Sequence, residues 1–178
     1  MLPARDWTWI CNPKLVDYTF DETAKTVTLT PSPVKLTDVG SPTFVGTRQV
    51  RIEEDFSARM LACPPAGVQA GVAAYMGRSH HYALVFERRG ETCWAYVRYR
   101  LGRMEFKSEA VEVMAFPAEV RVSAQAKSYD FLVNGKRVAA ADARHISCET
   151  NSDSPYNGVV FGFFAEGDPA FGKIRFGY

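Results

Sequence analysis

Apolar and polar residues alternate with a period of two along most of this chain. Because successive side chains of an extended strand point to opposite faces, this period indicates β-strands with one buried face each. The alternation is clear in residues 80–88, 92–101 and 119–125, and a shorter one at Trp7 and Trp9 predicts an edge strand. Asn134-Gly135, between two such runs, predicts a hairpin with a type I′ turn. No amphipathic helical segment of useful length interrupts the pattern.

Turn residues recur at the short intervals that are typical of β-sandwiches, so the sequence predicts an all-β fold of two antiparallel sheets. We expect one domain over residues 1–178. Residues 50–56 are predicted to be a strand with a wet, charged face, and the polar segment 141–155 a long loop or short helix. The residues expected in the core are Leu84, Phe86, Val97, Val120, Val122 and Phe161.

Charge and cysteine spacing exclude several classes of partner. Lys and Arg number 21 against 20 for Asp and Glu, so no net field favours nucleic acid or an anionic membrane surface. The N-terminus lacks the pattern of a signal peptide and no segment reaches the ~18 apolar residues of a membrane span, so we expect a cytoplasmic protein. Four widely spaced cysteines, with no ligand spacing, predict core thiols and no metal site.

The strand at residues 92–101 carries the candidate binding site. Cys93, Ala95 and Val97 share its core face, which leaves large aromatic and basic side chains on the other face. Sugars bind to aromatic platforms that are ringed by planar polar groups. His81 is expected to face Trp94 across the hairpin, with Arg98 and Glu87 as polar rim. The predicted ligand-binding residues of this face are Trp94, Tyr96, Arg98, His81 and Glu87. Two alternatives stay open: the same face packs against a neighbouring domain, or it lies under a loop.

Residues for glycoside cleavage are not recognisable, so no catalytic residue is assigned. Such enzymes need two carboxylates that flank one bond. Glu53, Glu54 and Asp55 form the dense acidic cluster, but they lack the E-x-D-x-x-E order of jelly-roll glycosidases, which favours a solvated strand edge. His80-His81 is not accompanied by a nucleophile motif such as G-x-S-x-G. We expect His80 in a turn and His81 on the sheet surface.

Several motifs, in their shared order, resemble the C-terminal concanavalin A-like domain of family 43 β-xylosidases. They are W-x-W-x-x-N-P at residues 7–13, S-P-T-F-V-G-T-R-Q at 41–49, A-G-V-A-A-Y at 70–75, Y-D-F at 129–131, Y-N-G-V-V-F-G-F-F-A at 156–165 and the terminal F-G-Y. The resemblance implies a jelly-roll sandwich that accompanies a five-bladed catalytic propeller, which this chain lacks, and related modules are classed as xylan-binding.

The resemblance also bears on one site residue and on metal content. Tyr156 matches a position where relatives place an aromatic residue that reaches into the propeller's active site, so it is included among the ligand-binding candidates. The last strand carries Arg175 and Gly177 with no Asp, which argues against the structural calcium of many concanavalin A-like domains. No cofactor is expected.

Three functions follow from these observations. The preferred one is a non-catalytic carbohydrate-binding or accessory module for β-linked plant polysaccharide, with β-xylan or xylo-oligosaccharide as ligand. The second is an interaction domain that docks on a separate glycoside hydrolase catalytic subunit. The third is a jelly-roll glycoside hydrolase.

Overall fold

The protein is a β-sandwich, described here from a computed structural model that covers residues 6–147, 150 and 158–178. The strands are β1 (Thr8–Trp9), β2 (Tyr18–Asp21), β3 (Thr26–Leu29), β4 (Thr43–Arg48), β5 (Glu54–Met60), β6 (Gln69–Gly77), β7 (His80–Arg89), β8 (Thr92–Leu101), β9 (Met104–Lys107), β10 (Val111–Glu112), β11 (Ala118–Ala124), β12 (Ser128–Val133), β13 (Lys136–Asp142), β14 (Val160–Glu166) and β15 (Ile174–Gly177). Short 3₁₀ turns span Leu15–Asp17, Ala143–Ile146 and Pro169–Phe171.

Two antiparallel sheets face each other, as the alternation predicts. In the described residues, an eight-stranded sheet has the order β1-β4-β14-β6-β7-β8-β10, with β9 also paired to β8. The opposing seven-stranded sheet has the order β13-β12-β11-β5-β15-β3-β2. Neighbours along each sheet are often far apart in sequence, so the sandwich depends on long-range pairing. No helix in this part of the chain is long and apolar enough to cross a membrane.

The interior between the sheets is aromatic. Phe161 and Phe163 of β14 face Phe56 of β5 and Phe176 of β15, and the Phe163 and Phe176 ring centroids lie 4.7 Å apart. Such ring pairs add specific geometry to the burial of large apolar surfaces. All six residues that the alternation places in the core are buried, which confirms that part of the prediction.

The hairpin prediction is confirmed and one strand prediction is partly wrong. Asn134 and Gly135 have φ values of 50° and 74°, as a type I′ turn requires. Of the strand predicted at 50–56, residues 54–56 begin β5, whereas residues 50–53 form a tight loop in which the Glu54 carboxylate accepts hydrogen bonds from the backbone N–H groups of Val50 and Arg51. The alternating Val50 and Ile52 side chains are exposed, so their pattern indicates no buried face.

The eight-stranded sheet has a buried apolar cluster on each face. A second apolar cluster lies on its outer face, the one turned away from the other sheet, and Leu36 from the covering loop at residues 30–42 is fully buried there. The covering loop is fixed to the sheet because Ser32 N–H donates to the Ala165 carbonyl and Gly167 N–H donates to the Ser32 carbonyl. Gly162 of β14 has no room for a side chain, since a Cβ there would overlap the Phe44 ring. This confirms the close approach that a glycine inside a strand indicates.

A substitution at Val122 tests how much the core stabilises the fold. Val122 lies opposite Phe56 on one side and Phe131 on the other, and it is fully buried. Val122→Asp should unfold the domain, because an unpaired buried carboxylate costs several kcal/mol, close to the roughly 5–15 kcal/mol that stabilises a domain. Urea denaturation followed by circular dichroism measures this. Gln125→Asp, at an exposed position just after β11, is the control and should leave the midpoint nearly unchanged.

Candidate functional site

The sequence-predicted site residues share the outer face of the eight-stranded sheet, as the alternation requires. His81 and Glu87 lie on β7, and Trp94, Tyr96 and Arg98 lie on β8. The register places His81 opposite Arg100 and Glu87 opposite Trp94, so the expectation that His81 faces Trp94 is wrong. Tyr156 lies outside the described residues. The five described residues lie on the predicted face of the sheet, but the exposed fractions of their side chains differ.

Tyr96 is not part of an open platform. Only 1% of its surface is exposed, and its ring belongs to the apolar cluster that Leu36 covers. The Arg89 guanidinium and the Lys107 ammonium lie 5.8 and 5.1 Å from its ring centroid, where cation–π attraction holds them. The hypothesis that Tyr96 stacks on a sugar therefore needs correction. Of the two alternatives left open, burial under a loop describes this part of the face.

Arg98 also has a structural partner. It is 5% exposed, and its two terminal nitrogens donate to the Glu166 carboxylate at 2.9 and 2.8 Å. Glu166 Oε1 accepts a further hydrogen bond, 2.9 Å long, from the backbone N–H of Leu36. A bidentate guanidinium–carboxylate pair has strong directional preference, so it fixes both strands and the covering loop. Arg98 thus does not form the exposed rim that the sequence suggested.

His81 is a buried neutral imidazole, not a surface residue. It is 0% exposed, its Nδ1 lies 2.9 Å from the Gly77 carbonyl, and its ring stacks on Tyr75 with centroids 5.3 Å apart. The carbonyl can only accept, so Nδ1 carries the hydrogen. Burial, opposed by the Gly77 hydrogen bond, lowers the pKa of His81 to about 3, and nearby Arg98 and Arg100 lower it further. The ring is therefore uncharged at neutral pH.

Glu87 and Trp94 are the predicted residues that keep part of their surface exposed. Burial would raise the pKa of Glu87, but hydrogen bonds from Arg89, Gln69 and Tyr96 outweigh it, so the pKa lies below its ordinary value. The Arg89 guanidinium lies 5.6 Å from the Trp94 ring centroid. Trp94 and Glu87 therefore form a small half-exposed patch at one end of the outer face.

A groove of about 380 Å³ opens at the other end of the outer face. Its half-buried floor includes Ile10, Tyr75 and Val160, and its exposed polar rim is formed by Arg48, Arg78 and Asp38. Trp9 contributes to the lining, but its ring packs on Tyr18 in the core between the sheets. We call this the outer groove. It is lined by Thr8, Trp9, Ile10, Cys11, Asp38, Val39, Gly40, Phe44, Arg48, Tyr75, Met76, Gly77, Arg78, Gly158 and Val160. This arrangement of apolar floor and planar polar rim is the one that the sequence predicts at Trp94.

Small residues beside Tyr75 make room for the apolar cluster of the outer face. Gly46, Gly162, Ala73 and Ala83 lie side by side across four strands, and the Phe44 ring packs over Gly162. Tyr75 rises beside this strip, tilted against Phe44 with centroids 5.4 Å apart. Burial raises the pKa of Tyr75 to about 12, so its hydroxyl stays protonated and can donate as well as accept. Alternation along residues 70–75 places Ala73 and Tyr75 on the same face of the sheet, but it does not show that Tyr75 stays accessible while Ala73 is covered.

The acidic cluster lies on the other sheet. Glu53 and Asp55 are exposed, Asp55 accepts a hydrogen bond from Ser123, and Glu54 holds the loop before β5. These roles fit the solvated strand edge that the sequence favoured. The cysteine prediction is partly wrong, because Cys93 is buried but Cys11 is exposed at the groove. Among the described residues, no group of three or more His, Cys, Asp and Glu side chains is placed to hold a metal ion.

The buried ion pair gives the first prediction for this face. Glu166→Gln should destabilise the protein by about 3–5 kcal/mol, because it leaves the Arg98 charge buried without a partner. Adding Arg98→Met should recover much of this loss, since both charges are then absent. Glu87→Gln is the matched control, as its partner Arg89 is exposed and such pairs contribute only about 0–1 kcal/mol. Denaturant midpoints that are equal for Glu166→Gln and Glu87→Gln would contradict the assignment.

His81 gives a prediction on pH. Its pKa is about 3 in the folded protein and near 6.5 when unfolded, so the unfolded chain binds the extra proton between these values. Its contribution to stability is complete above pH ~6.5 and is lost as the pH falls toward ~3, with a slope of at most about 1.4 kcal/mol per pH unit. Unfolding free energies measured from pH 7 to 4 should show a flatter slope for His81→Gln. His80→Gln, which changes the half-exposed neighbour and leaves the buried ring in place, is the matched control variant.

Comparison with known proteins identifies the family to which this sandwich belongs. Residues 3–178 match the family described as "Beta xylosidase C-terminal Concanavalin A-like domain". The chain is 25% identical over 169 residues to the non-reducing end alpha-L-arabinofuranosidase BoGH43B of Bacteroides ovatus, covering 92% of this chain and 32% of that protein. It thus spans about a third of the length of this relative.

Solved structures share the fold. The Bacteroides ovatus xyloglucan PUL GH43B superposes with a TM-score of 0.83 at 21% identity, over 99% of this chain and 37% of that one. The GH43 BlXynB protein from Bacillus licheniformis does so with a TM-score of 0.82 at 18% identity, over 96% and 35%. The sandwich, its two antiparallel sheets and the match over nearly the whole chain lead to one conclusion: the chain belongs to the family of β-xylosidase C-terminal concanavalin A-like domains.

Proposed function

We propose that this chain is a non-catalytic accessory module of glycoside hydrolases that act on β-linked plant polysaccharide such as xylan, and that the outer groove contacts the glycan. The observation that carries the proposal is the groove itself, with the Tyr75 ring in its floor and two guanidinium groups at its rim. Sugars present apolar C–H faces to aromatic rings and hydroxyls to planar polar groups, so both halves of a sugar find a counterpart there.

The dimensions and the charges of the groove support this assignment. A volume of about 380 Å³ lies within the roughly 300–1,000 Å³ of small-ligand sites and accommodates one or two sugar rings. Arg48 and Arg78 can donate to hydroxyls, and Asp38 can accept from them. All three are exposed, so a sugar would not have to displace a buried ion pair.

Trp94 and Glu87 are proposed as a second contact point for a longer glycan. They lie on the same outer face as the groove, and part of the Trp94 ring stays accessible beside the Arg89 guanidinium. The remaining predicted residues support this face but do not contact a ligand, because they are buried: Tyr96, Arg98 and His81. Tyr156 stays a prediction that rests on the family resemblance.

The acidic residues of the groove support an accessory role. Among its described lining residues, Asp38 is the one carboxylate, whereas glycoside hydrolysis uses two, about 5–10 Å apart. The relatives that this chain matches are named as glycoside hydrolases, and the chain spans about a third of their length. Both facts fit an arrangement in which another part of such enzymes cleaves the glycan and this module contacts it.

A second candidate function is docking on a glycoside hydrolase catalytic domain through the same groove. It is favoured by the short coverage of the relatives and by Val39, which is 85% exposed at the groove rim. Exposed apolar side chains beside a concave surface are typical of contact surfaces.

Sugar binding is tested with Arg78→Ala and Arg48→Ala. Titration calorimetry with xylo-oligosaccharides and arabinoxylo-oligosaccharides should show binding to the parent, weakened about tenfold or more in either variant, because each loses a charged hydrogen-bond donor. The melting temperature should hardly change, as both side chains are exposed. Trp94→Ala is the matched control at the far end of the outer face. It should weaken long glycans and leave short ones unaffected.

Failure to bind any glycan at millimolar concentration, together with binding to a family 43 catalytic domain that Arg78→Ala abolishes, would establish the docking function instead. Incubation of the pure protein with aryl xyloside should release no product. Turnover that Asp38→Asn or Glu53→Gln abolishes would overturn the accessory role.

A further inference from the structure

One end of the sandwich brings two cysteines together. The segment between β5 and β6, residues 61–68, passes from one sheet to the other and carries Cys63. Its neighbour Pro64 accepts a hydrogen bond of 3.3 Å from the Arg88 guanidinium. In the pairing of β7 with β8, Arg88 lies directly opposite Cys93. The crossing segment is therefore held against the strand position that carries the second thiol.

The two thiols are in contact but in different surroundings. Cys63 packs against the core cluster that contains Cys93, and the two thiols lie close enough to interact. Cys93 is only 5% exposed, whereas Cys63 is half-buried. Burial raises the pKa of the Cys93 thiol, and its contact with Cys63 raises it further. One thiol of the pair is thus accessible to a reagent and the other is protected.

We propose that Cys63 and Cys93 form a disulfide under oxidising conditions, which makes this end of the sandwich a redox-sensitive clasp. The pair is not placed to hold a metal ion, since no third His, Cys, Asp or Glu joins it among the described residues. Cys11 is exposed at the outer groove, so it is separate from the pair.

The reaction needs a disulfide oxidant such as oxidised glutathione. The Cys63 thiolate attacks one sulfur of the oxidant, which forms a mixed disulfide and releases one glutathione thiolate. Cys93 then loses its proton to solvent and attacks the Cys63 sulfur, which forms the internal S–S bond and releases the second glutathione. Two protein thiols are oxidised and one glutathione disulfide is reduced to two thiols. Because buried Cys93 is slow to ionise, closure should be faster at alkaline pH.

The bond would close a covalent loop around β6 and β7, the centre of the eight-stranded sheet. Closing a loop of this size restricts the unfolded chain, which stabilises the folded protein. The clasp lies away from the outer groove, so it changes stability without removing a groove residue.

The experiment compares the double variant Cys11→Ser/Cys148→Ser, which keeps the pair, with the same variant carrying Cys63→Ser. Both are incubated with oxidised glutathione at pH 8.5, blocked with iodoacetamide and digested without reduction. Mass spectrometry should find a linked Cys63–Cys93 peptide in the first protein. Its melting temperature should rise by about 5–15 °C over the reduced form, and the Cys63→Ser protein should show neither change.

Two results would overturn the proposal. One is full alkylation of both cysteines after oxidation, which would show that the thiols do not react. The other is a stable glutathione adduct on Cys63 with Cys93 alkylated, which would show attack on the oxidant without ring closure. Because Cys63→Ser changes a half-buried residue by one atom, loss of folding should not obscure the comparison.

Discussion

The outer half of this sandwich depends on one buried ion pair. Arg98 of β8 and Glu166 of β14 meet across two intervening strands, β6 and β7, and the backbone of Leu36 donates a third hydrogen bond to the same carboxylate. Removing two charges from water is costly, so a buried pair persists only where its geometry and extra hydrogen bonds compensate. The pair links β8 and β14 to the covering loop, so it forms only when all three segments are in place.

Once the covering loop is fixed, the outer face divides into three parts. Leu36 closes the middle over Tyr96 and Phe164. Asp38, Val39 and Gly40, which follow it, become one wall of the outer groove. Trp94 and Glu87 stay half-exposed at the other end. The position of the groove is therefore a consequence of where the loop ends, which connects an interaction in the interior to the surface proposed to meet a glycan.

The two proposals draw on opposite properties of the same sheet. The groove lies on the outer face, where Tyr75 stays half-buried beside the rim residues Arg48 and Arg78. The thiol pair needs close approach at the end where the chain passes between the sheets. The thiol pair lies at the end of the core between the sheets, because Cys93 belongs to that core and Cys63 packs against it. Glycan contact and redox stabilisation are thus proposed for opposite faces of the same sheet.

Local pattern determined the strands, the type I′ hairpin and the core positions such as Val97 and Val122, because the period of two and the turn residues act over a few residues. It also placed Trp94, Tyr96 and Arg98 on the correct face of β8. It could not show that Leu36, some sixty residues away in sequence from Tyr96, covers that face, or that Glu166 pairs with Arg98. Alternation states which side of a sheet a residue occupies, whereas exposure depends on segments brought together by long-range pairing. The accessible groove at Tyr75 was for the same reason decided by the tertiary structure alone.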